Sequence, residues 1–288
     1  MKGVYADAPR GLTAGWATFV PAMKKLAEGV LCLAIHLAFV TGLGFSVYFC
    51  GTPEYQKSGN WGWRFLYYNM AMTGQRFMYY TPWCINDAAM ISCGMAYNGP
   101  AKDGTGYTWD RIVNIYVWSL ETAATPVKMM GFWNHQISVW LNNYVQSRML
   151  GKGGKPTLAI SLGTFAVSAF WHGFYPFYYV MFFMSAVFVE LAKDVYRCRI
   201  LFSFIPEGAR HPIANIVTMI CLNYFGTSFN SLTFERGLTF GRGQNHFVFI
   251  LVPVALAVVK GLGLVKKAKK MEEALKKKSD EKETKKDK

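Results

Sequence analysis

TLAISLGTFAVSAFWHGFYPFYYVMFFMSAVFV, residues 157–189, runs for 33 residues without an Asp, Glu, Lys or Arg. As one helix it would reach about 50 Å, well beyond the roughly 30 Å hydrocarbon core of a bilayer. As two helices it gives each about 16 residues, which is short for a span. Gly173 and Pro176 offer a break directly after His172. A helix broken inside a membrane frees backbone polar groups that lipid cannot satisfy, so such breaks sit where protein or a water-filled cavity surrounds them. The run therefore predicts a broken pair of helices with an imidazole at the break, beside a cavity.

The rest of the chain supports a membrane reading. Residues 29–50 and 212–234 carry no formal charge, and 247–265 carry one Lys. A first span is expected over about 28–50, and a second apolar region, 61–97, is interrupted by Arg64, Arg76 and Asp87. Hydrophobic residues make up 52% of the 288 and charged ones only 17%, too few for a soluble surface. The expected fold is all-α: a polytopic transmembrane helical bundle with short, broken and re-entrant helices around a buried cavity. Residues 1–265 form its core and 266–288 a Lys-rich tail.

The net charge of +14 does not indicate nucleic acid. The tail holds eleven Lys against six acidic residues, and the remaining excess lies on short loops between apolar runs. Such loops mark cytosolic faces. The tail, the 193–211 connection (Lys193, Arg197, Arg199, Arg210) and the segment with Arg148, Lys152 and Lys155 then share the cytosolic side. The 235–246 loop lies opposite. The six cysteines have no paired spacing, so neither a metal site nor a disulfide framework is expected.

An ionisable residue inside a membrane segment is a functional-site candidate, and imidazole, with a reference pKa of about 6.5, suits general base work. The competing reading is a packed histidine bonded to a helix carbonyl; His36, alone in the first span, shows that position does not decide. Residues 132–149, FWNHQISVWLNNYVQSRM, place Trp133, Ile137, Trp140, Leu141 and Tyr144 at helical spacing. Asn134, Ser138 and Asn142 share the polar face of that expected helix. Arg76, Asp87 and Glu121 lie in or beside apolar segments, where unpaired charge is costly, so internal ion pairs are expected.

W-H-G at 171–173, preceded by Ser168-Ala169-Phe170 and followed by Tyr175-Pro176 and Tyr178-Tyr179, resembles the histidine motif of the membrane-bound O-acyltransferases. W-N-H-Q-I-S-V-W-L at 133–141, with Tyr144-Val145 and Arg148 after it, resembles a segment of their lysophospholipid acyltransferase branch. RFMYYTPWCINDAA (76–89), GMAYNGPAKDG (94–104), TWDRIVNIYV (108–117) and Glu121 match in order, over roughly residues 20–265. The F-Y-x-D-W-W-N motif of sterol and diacylglycerol acyltransferases is absent; the stretch reads GFWNHQ. Members of the branch carry further spans ahead of the region matching 20–50, so the resemblance implies a chain lacking N-terminal spans of the family.

The resemblance implies transfer of a fatty acyl group from acyl-CoA, a co-substrate with no further cofactor, to the hydroxyl of a lysophospholipid. His172 would be the base, and Asn134 would stabilise the oxyanion or orient the acceptor. Without the resemblance, Asn134 reads as an interfacial polar residue. Trp133 and Trp171 are expected to line the substrate, and Arg148 and Lys152 to meet CoA phosphates, a plain cytosolic loop being the alternative. KKDK at the C-terminus resembles a dilysine retrieval signal, which with lipid synthesis implies the endoplasmic reticulum membrane. A superfamily member acylating a protein or sugar hydroxyl, and a non-catalytic transporter or scaffold, are the alternative readings.

Overall fold

Asn60 caps a helix of 32 residues by accepting the amide of Trp63 at 2.9 Å, and that helix packs chiefly against the first helix of the chain and against Glu207–Ser231. The computed structural model describes residues 16–104, 106–151, 153–154 and 157–286. In chain order the helices are α1 (Trp16–Leu37), α2 (Pro53–Lys57), α3 (Trp61–Ser92), α4 (Val117–Glu121), α5 (Pro126–Phe132), α6 (His135–Trp140) and α7 (Ser147–Leu150). They continue as α8 (Leu158–His172), α9 (Pro176–Arg197), α10 (Glu207–Ser231), α11 (Phe234–Gly243), α12 (Phe247–Gly261) and α13 (Leu264–Lys286). No strand occurs among the described residues, so the all-α bundle read from sequence is the fold.

Charge does not interrupt α3 as the sequence suggests. Each charged side chain finds a partner instead. Arg64 Nε donates to the Gly243 carbonyl at 2.8 Å, and Arg76 Nη2 meets Glu121 Oε2 at 2.7 Å. Asp87 Oδ1 accepts from both the main-chain N–H and the carboxamide of Asn114.

α1 also departs from expectation. It begins at Trp16 and ends in a π-helical turn, Ala38–Gly42, so the span overlaps the expected 28–50 but is shifted toward the N-terminus. Lys25 sits inside it because its ammonium is used, bonding Glu28 at 2.7 Å and the Ile115 carbonyl at 3.1 Å. Close packing on α3 depends on Gly29, where a Cβ would come within 3.0 Å of the Cys84 Cβ.

The uncharged run divides as the sequence predicts. Thr157 caps α8, residues 173–175 break the helix, and Pro176 opens α9, where its missing N–H is harmless. Phe165 lies 6.3 Å from Phe182 across the break, so the two helices fold back on each other as a hairpin. Its first arm has 15 residues and reaches about 22 Å. Residues 235–246, expected as a loop, are mostly helical: α11 meets α12 at a bend of 80°. By length and composition, Trp16–Gly42 and Pro176–Arg197 can cross a membrane, and the bent pair makes a third if it is one span.

The main core is aromatic. Tyr55, Tyr68, Tyr224 and Phe240 are fully buried, one each from α2, α3, α10 and α11. Tyr224 and Phe240 centroids lie 4.9 Å apart, tilted, within the range where aromatic pairs add to area burial. The tail helix α13 docks on this core through buried Ala268 and an Arg199–Glu272 ion pair of 3.2 Å.

Candidate active site

His172 ends α8, and the turn behind it fixes its ring. Nδ1 lies 2.7 Å from the Ser168 carbonyl, four residues back. A carbonyl only accepts, so Nδ1 carries the hydrogen and the neutral ring keeps its lone pair on Nε2. Nε2 forms no hydrogen bond to a described residue. Gly173 follows at φ 127° and ψ 179°, a region essentially closed to residues with a Cβ, and takes the chain out of the helix.

Aromatic rings surround the imidazole. Phe182 is 4.8 Å away, Phe229 5.5 Å and Tyr178 6.1 Å, centroid to centroid. Tyr178 and Phe229 are themselves stacked at 4.1 Å with 8° between planes. The group orienting this histidine is a main-chain carbonyl rather than a carboxylate. That alone does not single it out: His36 and His135 also place Nδ1 on carbonyls, at 2.9 Å from Gly74 and 2.7 Å from Gly131. Contact with four aromatic rings, against the single Tyr116 ring at His135, distinguishes His172.

The continuous helix expected over 132–149 is not formed. α5 stops at Phe132, Trp133 is extended, and Asn134 adopts φ 45°, ψ 54° before α6 begins. Asn134 therefore occupies a junction rather than a helix face shared with Ser138 and Asn142. Asn is among the few residues that enter the left-handed region without large strain. A second irregularity, the π-helical turn Leu141–Gln146, precedes α7. The Asn134 carboxamide makes no hydrogen bond among the described residues.

Neighbouring segments hold this junction. His135 N–H donates to the Asn114 carbonyl at 2.7 Å, and Tyr116 N–H to that of Phe132 at 3.3 Å. The Trp133 ring packs edge-on against Tyr79, Tyr80 and Trp83 of α3 at 5.8, 5.9 and 5.2 Å. Arg76, Glu121, Tyr80 and Asn223 form the buried polar network beneath: Tyr80 donates to Glu121 at 2.7 Å and Arg76 to Asn223. The ion pair expected from sequence is thus formed.

No hydrogen bond joins Asn134 to His172. Their environments meet through α3 and α10: Tyr79, packed on Trp133, donates to Asn230 Oδ1 at 3.0 Å, and the adjoining Phe229 faces His172. Sequence reasoning passes over Tyr79, Phe229 and Asn230. The signal for them is the polar cluster Asn223, Thr227, Ser228, Asn230 and Ser231 inside the uncharged 212–234 stretch, all buried.

Two of the remaining candidates, Trp171 and Arg148, are exposed at the surface. Trp171 is exposed, stacking on the ring of His172 at 3.8 Å. Arg148 is exposed, with its guanidinium over Tyr144 at 5.6 Å. Its neighbour Met149 rests on Gly163, nine residues before His172, which sets α7 about 13 Å up α8 from the imidazole. Lys152 lies outside the described residues. Among those described, no group of three His, Cys, Asp or Glu side chains has metal-binding geometry.

Comparison with known proteins identifies relatives of the chain. Lysophospholipid acyltransferase 2 of Arabidopsis thaliana is 29% identical over 271 residues, which is 92% of this chain and 57% of that protein. The lysophospholipid acyltransferase of Saccharomyces cerevisiae is 38% identical over 138 residues, covering 48% and 22%. Human membrane-bound glycerophospholipid O-acyltransferase 2 is 27% identical over 245 residues, covering 83% and 45%. The chain spans about half the length of the Arabidopsis and human relatives. The MBOAT model, which describes the membrane-bound O-acyltransferase family, matches residues 18–234, a stretch that includes both the Asn134 junction and the His172 break. The chain belongs to the membrane-bound O-acyltransferase family.

Proposed function

We propose that this chain carries the acyl-transfer centre of a lysophospholipid acyltransferase that uses acyl-CoA as donor. A glycerol hydroxyl is too weakly acidic to exist as alkoxide near neutral pH, so attack on a thioester requires a base at the hydroxyl. His172 Nε2 takes that proton while the oxygen bonds to the thioester carbon. The C–S bond then breaks, and the CoA thiolate recovers the proton from the imidazolium. Negative charge on the carbonyl oxygen in between calls for a fixed donor, and the uncommitted carboxamide of Asn134 supplies one. Arg148 and Lys152, on the segment leading into α8, attract CoA phosphates. The reaction takes place in the endoplasmic reticulum membrane, with the Lys-rich C-terminus in the cytosol.

The observation that carries this reading is the state of His172. Ser168 holds Nδ1–H, which leaves Nε2 basic and unpartnered at a helix break lined with aromatic rings. The test is transfer of labelled oleoyl from oleoyl-CoA to a panel of lysophospholipids by membranes carrying this chain. His172→Ala and His172→Gln at matched abundance are expected to lose on the order of 10²–10⁴ in rate. Undiminished transfer by both would place the base elsewhere, and transfer only to peptide or sugar hydroxyls would change the acceptor class.

A further inference from the structure

We infer that Asp87 is a positioning residue for Asn134, acting through Asn114; the inference rests on the reaction proposed above. Asp87 lies near the end of α3 and is almost wholly buried. Its Oδ1 accepts two hydrogen bonds from one residue: the Asn114 main-chain N–H at 2.8 Å and the Asn114 carboxamide at 2.7 Å. Two donors on one oxygen fix both the backbone and the side chain of Asn114.

The next link is the Asn114 carbonyl. It accepts the N–H of His135 at 2.7 Å, the residue directly after Asn134. One residue along, Lys25 of α1 donates to the Ile115 carbonyl at 3.1 Å, and Tyr116 N–H reaches the Phe132 carbonyl. The extended segment 114–116 is thus pinned to α1 and α3 on one side and brackets Trp133 and Asn134 on the other. Left-handed backbone at a non-glycine residue persists only when its surroundings over-determine it. Here the surroundings are this relay, anchored at Asp87.

The carboxylate serves as an acceptor more than as a charge. Among the described residues Oδ2 has no hydrogen-bond partner, and the Lys25 ammonium stands 3.9 Å away with its own bonds to Glu28 and Ile115. A carboxamide oxygen has two lone pairs, so it can accept both Asn114 donors, though less strongly than a carboxylate oxygen does. Asp87→Asn should therefore preserve the relay, whereas Asp87→Ala removes it.

Two readouts on the whole chain test this. In hydrogen exchange on the purified protein in lipid nanodiscs, Asp87→Ala should speed exchange of peptides covering 113–136 by about tenfold, as loss of an anchoring bond to a charged acceptor implies. Peptides from α11 and α12 should be unchanged, and Asp87→Asn should lie much closer to the native chain than Asp87→Ala does. In the oleoyl transfer assay, Asp87→Ala should lower kcat by about tenfold with KM within about threefold, and Asp87→Asn should restore most of it. If Asp87→Ala fails to accumulate, Asn114→Ala, which removes one of the two donors, should give a smaller change of the same sign in both. Unchanged exchange over 113–136 overturns the relay. So does an Asp87→Asn variant as impaired as Asp87→Ala, because charge would then matter and acceptance would not. Asn134→Ala and His172→Ala run alongside: activity retained in those two rejects the proposed reaction, while activity lost in them but kept in Asp87→Ala rejects only the relay.

Discussion

Asn134 can matter for its backbone or for its carboxamide, and Asn134→Gly separates the two. At φ 45° and ψ 54° a residue with an ordinary Cβ pays about 1–2 kcal/mol, and glycine pays none of that steric cost. If the side chain only permits the turn, Asn134→Gly should stay within about threefold of native turnover, whereas Asn134→Ala should lose about five- to thirtyfold, the range those energies convert to. If the carboxamide stabilises the oxyanion, both variants lose it. The loss for one such donor is about 10²–10³ in kcat, and Asn134→Ala adds its backbone penalty on top. We expect the second pattern, with Asn134→Gly down at least about a hundredfold. The assay is oleoyl transfer to lysophospholipid, at matched abundance and with saturating substrates. Near-native turnover by Asn134→Gly would refute a chemical role and leave Asn134 as a turn residue.

Two further outcomes follow from the geometry. Gly173→Ala places a Cβ where φ is 127°, at an expected strain of about 1–3 kcal/mol. Because His172 adjoins it, the variant should lose turnover by more than it loses thermal stability in detergent; equal loss of both would mean the break is merely structural. Arg76→Ala removes the guanidinium from half-buried Glu121 and buried Asn223, leaving Glu121 only its Tyr80 donor, at an expected cost of about 1–3 kcal/mol. The double change Arg76→Met with Glu121→Leu should recover much of that in a thermal unfolding series, and failure to recover would mean that the network contributes more than charge neutralisation.

What the sequence reveals and conceals follows from the range of the interactions. The hairpin at His172 is legible because Gly173 and Pro176 act locally on an otherwise apolar run. The Arg76–Glu121 pair is legible in kind, since an intramembrane charge demands a partner, although nothing in the spacing names Asn223. Asn134 misleads: apolar residues at helical spacing describe 132–149 well, yet the hydrogen bond from His135 to Asn114 stabilises a break that periodicity cannot register. Charged residues mislead in the opposite direction at Lys25, Arg76 and Asp87. Each looks like an end or an interruption and instead has a partner inside a helix. The Asn134 and His172 environments meet through Tyr79 and Asn230, 151 positions apart, and no local pattern carries that.

The guanidinium buried in α3 also bears on how the chain is made. Its carboxylate partner, Glu121, is 45 positions downstream and its amide partner, Asn223, 147. At roughly 5–20 residues per second, a ribosome needs about 7–30 s after completing Arg76 to supply Asn223. The carboxylate is supplied sooner, about 2–9 s after Arg76, and until then the unpaired cation resists transfer into apolar surroundings. α3 therefore reaches its final partners only after Glu121 and then α10 have been made, which couples the packing of this bundle across distant parts of the chain.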